Sequence, residues 1–296
     1  MKTKILAIVG SVLFGCPVGL VAEASTAAEI FTRIQQSYGA AITADTVDTL
    51  KAGDPTTKVT GIATTFLDTM DVLREAVRRG DNLLISHEPT FYNHRDDRSK
   101  LLADPVFQEK LAFIEAHHLA IYRLHDQIHA AQTDHILDGL YDALGWTDFP
   151  HPKIPDGEHY VTIPQTTLLN LSQFLQFKLH IDTLRVEGDP SLVVDHVAVE
   201  PGAAGLLEHV KALERPEVSV LIAGEASEWE TVEYVRDALA QGRPQGLILL
   251  GHEASEEPGM EKCAKDLRAL FPGLRVDYLP AGQPLSLPQT LTRKQR

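Results

Sequence analysis

Residues 82–90, Asn82-Leu83-Leu84-Ile85-Ser86-His87-Glu88-Pro89-Thr90, join an apolar run of strand length to two side chains that can bind a metal ion. The short apolar run and its abrupt stop are typical of a buried strand. A second segment near the C-terminus repeats the pattern, Leu247-Ile248-Leu249-Leu250-Gly251-His252-Glu253-Ala254-Ser255-Glu256. Open α/β sheets place their functional sites at the carboxyl ends of strands. The two segments therefore predict one composite site built from distant parts of the chain.

The rest of the sequence predicts an α/β fold. The chain has 296 residues, of which 44% are hydrophobic and 23% are charged, and at about 150 residues per domain this length predicts one large or two medium domains. Residues 59–66, 69–79 and 82–87 read as strand, helix and strand, a βαβ unit whose strands should be parallel. We predict two α/β lobes with largely parallel strands, at about residues 25–148 and 160–286, with the site between them. A linker at 147–159 and a flexible tail at 287–296 complete the chain.

The first 24 residues are expected to be a secretory signal peptide. Lys2 and Lys4 precede a nearly apolar segment, and Ala22-Glu23-Ala24 resembles a cleavage site. An uncleaved membrane anchor is one alternative, because the apolar run is close to spanning length. Lipidation at Cys16 is another, because Leu13-Phe14-Gly15-Cys16 resembles a lipobox. The sequence thus predicts an exported protein, periplasmic or extracellular, that would attach to a membrane only through a lipid anchor.

Charge and cysteine content narrow the class of protein. The formal net charge is −14, which would repel a phosphate backbone, so nucleic-acid binding is not expected. Cleavage of residues 1–24 would leave Cys263 as the one thiol, and no internal disulfide could form. We interpret Cys263 as a structural residue of a helix.

The histidines carry the strongest chemical signal. The chain contains 13 of them, and four follow predicted strands directly or within one helical turn: His87, His125, His129 and His252. His129 lies four residues after His125, and Glu256 lies four after His252, a spacing that brings both side chains to one point when the chain turns helically. Imidazole and carboxylate together suit Zn, Mn, Fe or Ni better than Ca or Mg. Other histidines are interpreted as surface or core residues, namely His117, His118, His135, His151, His159, His180 and His209.

These segments resemble the three ligand segments of the Nif-three-like dinuclear metal-centre family, whose members are also labelled GTP cyclohydrolase type 2 homologues. The resemblance is carried by Ser86-His87-Glu88-Pro89, by the pair His125-x3-His129, and by Gly251-His252-Glu253-Ala254-Ser255-Glu256-Glu257-Pro258-Gly259. It extends over about residues 27–284. It implies two divalent metal ions, with His87 and His252 on one ion and Glu256 bridging to the other.

The sequence departs from the family pattern at three positions. Glu88 stands where the family usually has a second histidine, and His129 stands where it has an aspartate. The exchange retains one nitrogen and one oxygen ligand, so we expect Glu88 and His129 to hold the second ion. Trp229 stands where relatives often carry a histidine, so a more distant helper residue is expected to be missing.

The expected function is that of a metal-dependent hydrolase. Two divalent ions, held by His87, Glu88, His129, His252 and Glu256, would activate a metal-bound water against a small anionic substrate. His125 is the expected general acid or base. The alternative is a non-catalytic metal-binding or scaffold protein, because family members resemble toroidal homo-oligomers such as hexamers and a fold does not establish a reaction. GTP cyclohydrolase activity is less expected, since an exported protein would meet little GTP.

Overall fold

The computed structural model describes residues 25–288. The predicted signal peptide and most of the predicted tail lie outside these residues. No helix between residues 25 and 288 has both the length and the apolar character needed to cross a membrane.

Helices and strands alternate along the described chain. The helices are α1 (Ala27–Tyr38), α2 (Met70–Arg79), α3 (Pro105–Ala116), α4 (Asp126–His129), α5 (His135–Leu144), α6 (Leu168–Leu179), α7 (Leu206–Leu213), α8 (Glu233–Ala240) and α9 (His252–Leu270). The strands are β1 (Leu50–Ala52), β2 (Ile62–Thr65), β3 (Leu83–Ser86), β4 (Ala120–Arg123), β5 (Tyr160–Thr167), β6 (Arg185–Glu187), β7 (Val193–Glu200), β8 (Val220–Ala223), β9 (Gly246–Leu249) and β10 (Val276–Tyr278). A 3-10 turn spans Gly157–His159, and a π-helix spans Glu228–Val232.

The strands form two sheets, with the orders β1-β4-β3-β2-β10 and β5-β7-β8-β9-β6. In the first sheet the adjacent strands β4, β3, β2 and β10 are parallel, and in the second sheet β7, β8 and β9 are parallel. The remaining strands, β1, β5 and β6, pair antiparallel. The predicted α/β class with largely parallel strands is confirmed.

The last strand of the chain does not join the second sheet. β10 pairs with β2 in the first sheet, so the chain returns to its N-terminal half after completing the second sheet. The predicted linker at 147–159 also leads directly into strand β5, which the sequence analysis did not predict. β5 contains Pro164 and has a register shift between Thr162 and Thr166, and proline of this kind is tolerated in an edge strand with a bulge.

Helices α5 and α9 pack closely where the two sheets meet. A Cβ on Gly139 would lie 2.5 Å from the Cα of Gly259, and one on Gly259 would lie 2.6 Å from the Cα of Ile136. Only glycine permits such an approach of two helix backbones. Because α9 begins with His252 and α5 follows the segment that contains His129, this contact lies next to predicted site residues from both sheets.

Candidate metal centre

Six predicted site residues converge at the carboxyl ends of three strands. His87 and Glu88 follow β3, and His125 and His129 follow β4, which is the neighbour of β3 in the first sheet. His252 and Glu256 lie on the first turns of α9, after β9 of the second sheet. The structure therefore brings together every residue that the sequence pattern selected. Their individual roles remain predictions.

His87 presents an unpaired nitrogen to the centre of this cluster. Its side chain is fully buried, and its Nδ1 donates a hydrogen bond to the carbonyl oxygen of Leu124 at 3.0 Å. That bond leaves the lone pair on Nε2, which is buried and has no hydrogen-bond partner among the described residues. A buried polar atom without a partner is unfavourable, so the position is suited to a bound cation.

Glu256 lies between imidazoles on both sides. Its Oε2 is 3.2 Å from Nε2 of His87 and 3.1 Å from Nε2 of His252, and its Oε1 is 3.9 Å from Nε2 of His129. Two ligands of one ion, each bonded at about 2.0–2.2 Å, lie about 3 to 3.5 Å apart. The separations at Oε2 match a shared ion, and the other oxygen of the same carboxylate faces a different histidine.

Glu88 lies between His125 and His252. Its Oε1 is 3.5 Å from Nε2 of His125 and 3.6 Å from Nε2 of His252. Two groups of side chains have ligand atoms close enough to hold an ion, and they share one member: His87 with His125 and His129, and His87 with Glu88 and Glu256. His125, predicted as a proton-transfer residue, thus lies within a group that is able to bind metal.

Carboxylates behind the histidines fix the orientation of the rings. Asp134 Oδ2 accepts a hydrogen bond from Nδ1 of His129 at 2.7 Å, and Asp126 Oδ1 lies 3.0 Å from Nδ1 of His125. Glu225 Oε1 lies 3.3 Å from Nδ1 of His252. A partner on Nδ1 selects the tautomer with a free lone pair on Nε2, which is the arrangement of metal-binding histidines.

A buried arginine holds Glu88. Arg123 is fully buried, its Nη2 lies 3.1 Å from Oε2 of Glu88, and its Nε donates to the carbonyl oxygen of His87 at 2.9 Å. The guanidinium thus binds one carboxylate oxygen while the other faces the histidines. Arg123 could not be selected from the sequence, because it stands in an apolar strand, where a single charged residue gives no periodic signal.

The carboxylates set the protonation of the cluster. Burial alone would lower the pKa of His252, but its contacts with Glu225 and Glu256 raise that pKa to about 10. Burial alone would lower the pKa of His129 as well, but its hydrogen bond and charge contact with Asp134 raise that pKa above the ordinary value. Burial lowers the pKa of His125 to about 3, and the neighbouring His87 and His129 act in the same direction. The negative charges therefore favour cations at this position, and metal binding competes with protons.

The cluster opens into a cleft of about 460 Å³. The rest of the cleft wall comes from residues that the sequence pattern did not select, among them His94, His159, Glu200, Pro201, Ala203 and Ala204. Gly202 lies between this wall and the cluster with a φ of +66°, and a Cβ at this position would collide with Oε1 of Glu256. Glycine is therefore required both by the backbone conformation and by the close contact.

Trp229 lies elsewhere. Its side chain is 81% exposed and lines a separate groove with Arg185 and Arg236. The tryptophan is therefore outside the cleft within a single chain.

Comparisons with known proteins agree with this architecture. A family model described as Duf34/NIF3 (NGG1p interacting factor 3) matches residues 26–281. A GTP cyclohydrolase 1 type 2 homolog of Clostridium acetobutylicum is 24% identical over 226 residues, which cover 74% of this chain and 80% of the relative. A hypothetical protein of Staphylococcus aureus has a similar fold, with a TM-score of 0.71 and 16% identity over 88% of this chain and 99% of that one.

A Bacillus cereus protein related to NIF3 gives a TM-score of 0.69 at 15% identity, covering 90% of this chain and 99% of its own. At these identities the structural likeness establishes the fold alone. The family model, in contrast, covers nearly all of the described chain and includes every ligand segment. The chain belongs to the DUF34/NIF3 family.

Proposed function

We propose that the protein is a divalent-metal-dependent hydrolase with two metal ions, acting on a small anionic substrate. The observation that carries the proposal is the position of Glu256. Its Oε2 lies within 3.2 Å of two imidazole nitrogens, while its Oε1 faces a third at 3.9 Å. A carboxylate placed in this way can bridge two ions.

We assign the ligands to the two ions by the oxygen of Glu256 that faces each histidine. His87, His252 and Oε2 of Glu256 would hold the first ion. Oε1 of Glu256, His129 and Glu88 would hold the second, with His125 as a further nitrogen close to Oε1 of Glu88 at 3.5 Å. The mixture of imidazole nitrogen and carboxylate oxygen fits Zn, Mn, Fe or Ni.

Two divalent ions held by these residues would supply Lewis-acid chemistry, activating water and offsetting negative charge during hydrolysis. The protein supplies only two ligand carboxylates, Glu88 and Glu256. Four positive charges against two negative ones leave a formal surplus, which favours an anionic substrate group. Glu88 keeps its orientation through Arg123, and His129 keeps its orientation through Asp134.

Metal content and hydrolysis test the proposal together. Protein purified without added metal should contain about two divalent ions per chain, measured by inductively coupled plasma mass spectrometry. Glu256→Ala should lose both ions, whereas Glu261→Ala, which changes an exposed residue of the same helix, should retain them. Retention of both ions by Glu256→Ala would exclude the bridging role.

The hydrolysis assay should compare metal-loaded and chelator-treated protein on p-nitrophenyl phosphate, bis-p-nitrophenyl phosphate and GTP. GTP is included because the Clostridium acetobutylicum relative carries a GTP cyclohydrolase name. We expect metal-dependent release of product from at least one anionic ester. Full metal content without turnover of any of them would count against the hydrolase and favour the metal-binding scaffold.

A further inference from the structure

We propose that His159, held by Glu200, binds the anionic group of the substrate from the part of the cleft wall that the metal ligands do not form. The inference rests on the proposed function, because the substrate has to lie between this wall and the ions. His159 and Glu200 both line the 460 Å³ cleft into which Glu88, His125 and Glu256 open.

The hydrogen bonds of His159 leave one ring nitrogen for the cleft. Its Nδ1 lies 3.0 Å from the carbonyl oxygen of Val199 and 3.2 Å from Oε2 of Glu200. Both partners are acceptors, so Nδ1 carries a proton. Neither partner uses Nε2, which is therefore available to donate to an oxygen of a bound anion.

Both residues belong to defined elements of the fold. His159 ends the 3-10 turn Gly157–His159, and the hydroxyl of Tyr141 donates to the carbonyl oxygen of Glu158 at 2.6 Å within that turn. Glu200 is the last residue of β7 and is 9% exposed. Gly202 follows β7 after one intervening residue, and it lies so close to Glu256 that a Cβ at this position would collide with Oε1.

His159 and Glu200 form an ion pair, which places a positive charge on the cleft wall and leaves the net charge of the cleft unchanged. Burial would lower the pKa of His159, but Glu200 and the Val199 carbonyl raise it to about 9. The ring is therefore an imidazolium at neutral pH, and Glu200 balances its charge. Hydrogen bonds from a charged donor to an anion are stronger than neutral ones.

His125 is less suited to contact the substrate in this way. Its Nε2 lies 3.5 Å from Oε1 of Glu88, and the residue belongs to a group of side chains that can bind an ion. Its Nδ1 is directed at Asp126. Both nitrogens thus have partners when the metal site is filled, whereas His159 keeps a free one.

The test is phosphate binding to the metal-loaded full-length protein, measured by isothermal titration calorimetry with inorganic phosphate. The first variant is His159→Asn, whose amide can replace Nδ1 as donor while the group at Nε2 is removed. The matched control is His151→Asn, which changes a histidine that lies just before the same turn and whose Nδ1 also lies 3.0 Å from a backbone carbonyl, that of Tyr160.

We expect His159→Asn to weaken phosphate binding by about tenfold or more, as for the loss of a charged hydrogen bond. Metal content should stay that of the unmodified protein, and His151→Asn should bind phosphate normally. At equal metal content, the phosphate affinity of Glu200→Gln relative to that of the unmodified protein at the same pH should fall as the pH rises from 5.5 toward 8, because a His159 without its carboxylate returns toward its ordinary pKa.

The outcomes separate the two proposals. Equal phosphate affinity of the unmodified protein and His159→Asn, both with full metal content, would overturn the role of His159 and leave the metal centre intact. Absence of phosphate binding to the fully loaded protein would also overturn it. Failure of the unmodified protein to hold metal would overturn the proposed function itself. If His159→Asn does not fold, nitrogen NMR of the unmodified protein should show the His159 Nε2 signal shifting with phosphate, and an unmoved signal would exclude the contact.

Discussion

Asp134 supports two parts of the centre with its two carboxylate oxygens. Oδ1 accepts from the backbone N–H groups of Ile136 and Leu137 and caps helix α5, while Oδ2 accepts from Nδ1 of His129. Asparagine caps helices as well as aspartate, but its NH₂ group cannot accept from His129. Asp134→Asn should therefore lower metal affinity by about 10- to 100-fold with little loss of stability. Calorimetric zinc titration checks this.

The control for that prediction is Asp104→Asn. Asp104 caps helix α3 in the same way, through Phe107 N at 2.9 Å, but it does not line the cleft. Its variant should bind zinc normally. If Asp134→Asn also binds zinc normally, the carboxylate does not orient His129.

Arg123 is expected to be the most sensitive position next to the centre. Its removal would leave Glu88 half-buried without its cation, together with an unpaired carbonyl oxygen at His87. Breaking a buried ion pair on one side costs about 3–5 kcal/mol, so Arg123→Met should reduce the free energy of unfolding by that order in urea denaturation. Arg123→Met combined with Glu88→Gln should be less destabilised than Arg123→Met alone. Equal destabilisation would mean that the ion pair contributes nothing.

Site residues could be predicted from the sequence where their neighbours along the chain form a recognisable pattern. His87, Glu88 and His252 follow buried strands directly, so the pattern along the chain is sufficient to select them. His159 has its partner at Val199, 40 residues further along, and its neighbours in sequence carry no ligand pattern. A pair formed by tertiary contact leaves no such signal, which is why His159 was interpreted as an ordinary surface or core residue.

Among the elements, the contact between α5 and α9 connects the two halves of the site. Gly139→Ala would place a Cβ 2.5 Å from the Cα of Gly259, and the helices would have to separate. We expect a loss of about 1–3 kcal/mol in stability together with weaker metal binding, because His252 and Glu256 move away from His129. Urea denaturation and zinc titration measure both effects.

Gly273→Ala is the matched control for Gly139→Ala. A Cβ at Gly273 would meet nothing within 4 Å, so both stability and zinc affinity should be retained. Unchanged zinc affinity in a destabilised Gly139→Ala would show that the helix contact supports the fold but not the geometry of the site.

Helices and strands were predictable to different degrees for physical reasons. Helix α1 carries a Thr26–Glu29 capping box and an apolar face, and the buried residues Leu168, Leu171 and Leu175 of α6 recur at helical spacing. The strands β1 and β5 were missed. β1 has three residues, and β5 is interrupted by Pro164, so neither shows an alternating pattern long enough to identify a strand.

At the scale of the whole molecule, export remains a prediction because it depends on residues 1–24, outside the described chain. The mature protein should begin near Ser25, after the Ala22-Glu23-Ala24 segment. Mass spectrometry of the N-terminus of protein isolated from its native host checks this, and an intact Met1 in the cytoplasmic fraction would contradict it. The homo-oligomer likewise remains a prediction.

Metal should stabilise the molecule as one unit, because its ligands come from both sheets. His87, Glu88 and His129 follow strands of the first sheet, whereas His252 follows a strand of the second. A ligand that binds only the folded state adds about 2.7 kcal/mol at a free concentration of 100 times its Kd. Zinc should therefore raise the midpoint of urea unfolding in a single cooperative transition, and a chelator should reverse the shift.

The control variants are Glu256→Ala, whose unfolding midpoint should not change with zinc, and Glu261→Ala, whose midpoint should rise as in the unmodified protein. A zinc effect on only one of two separate transitions would mean that the ion binds within one sheet, and the composite site would then be excluded.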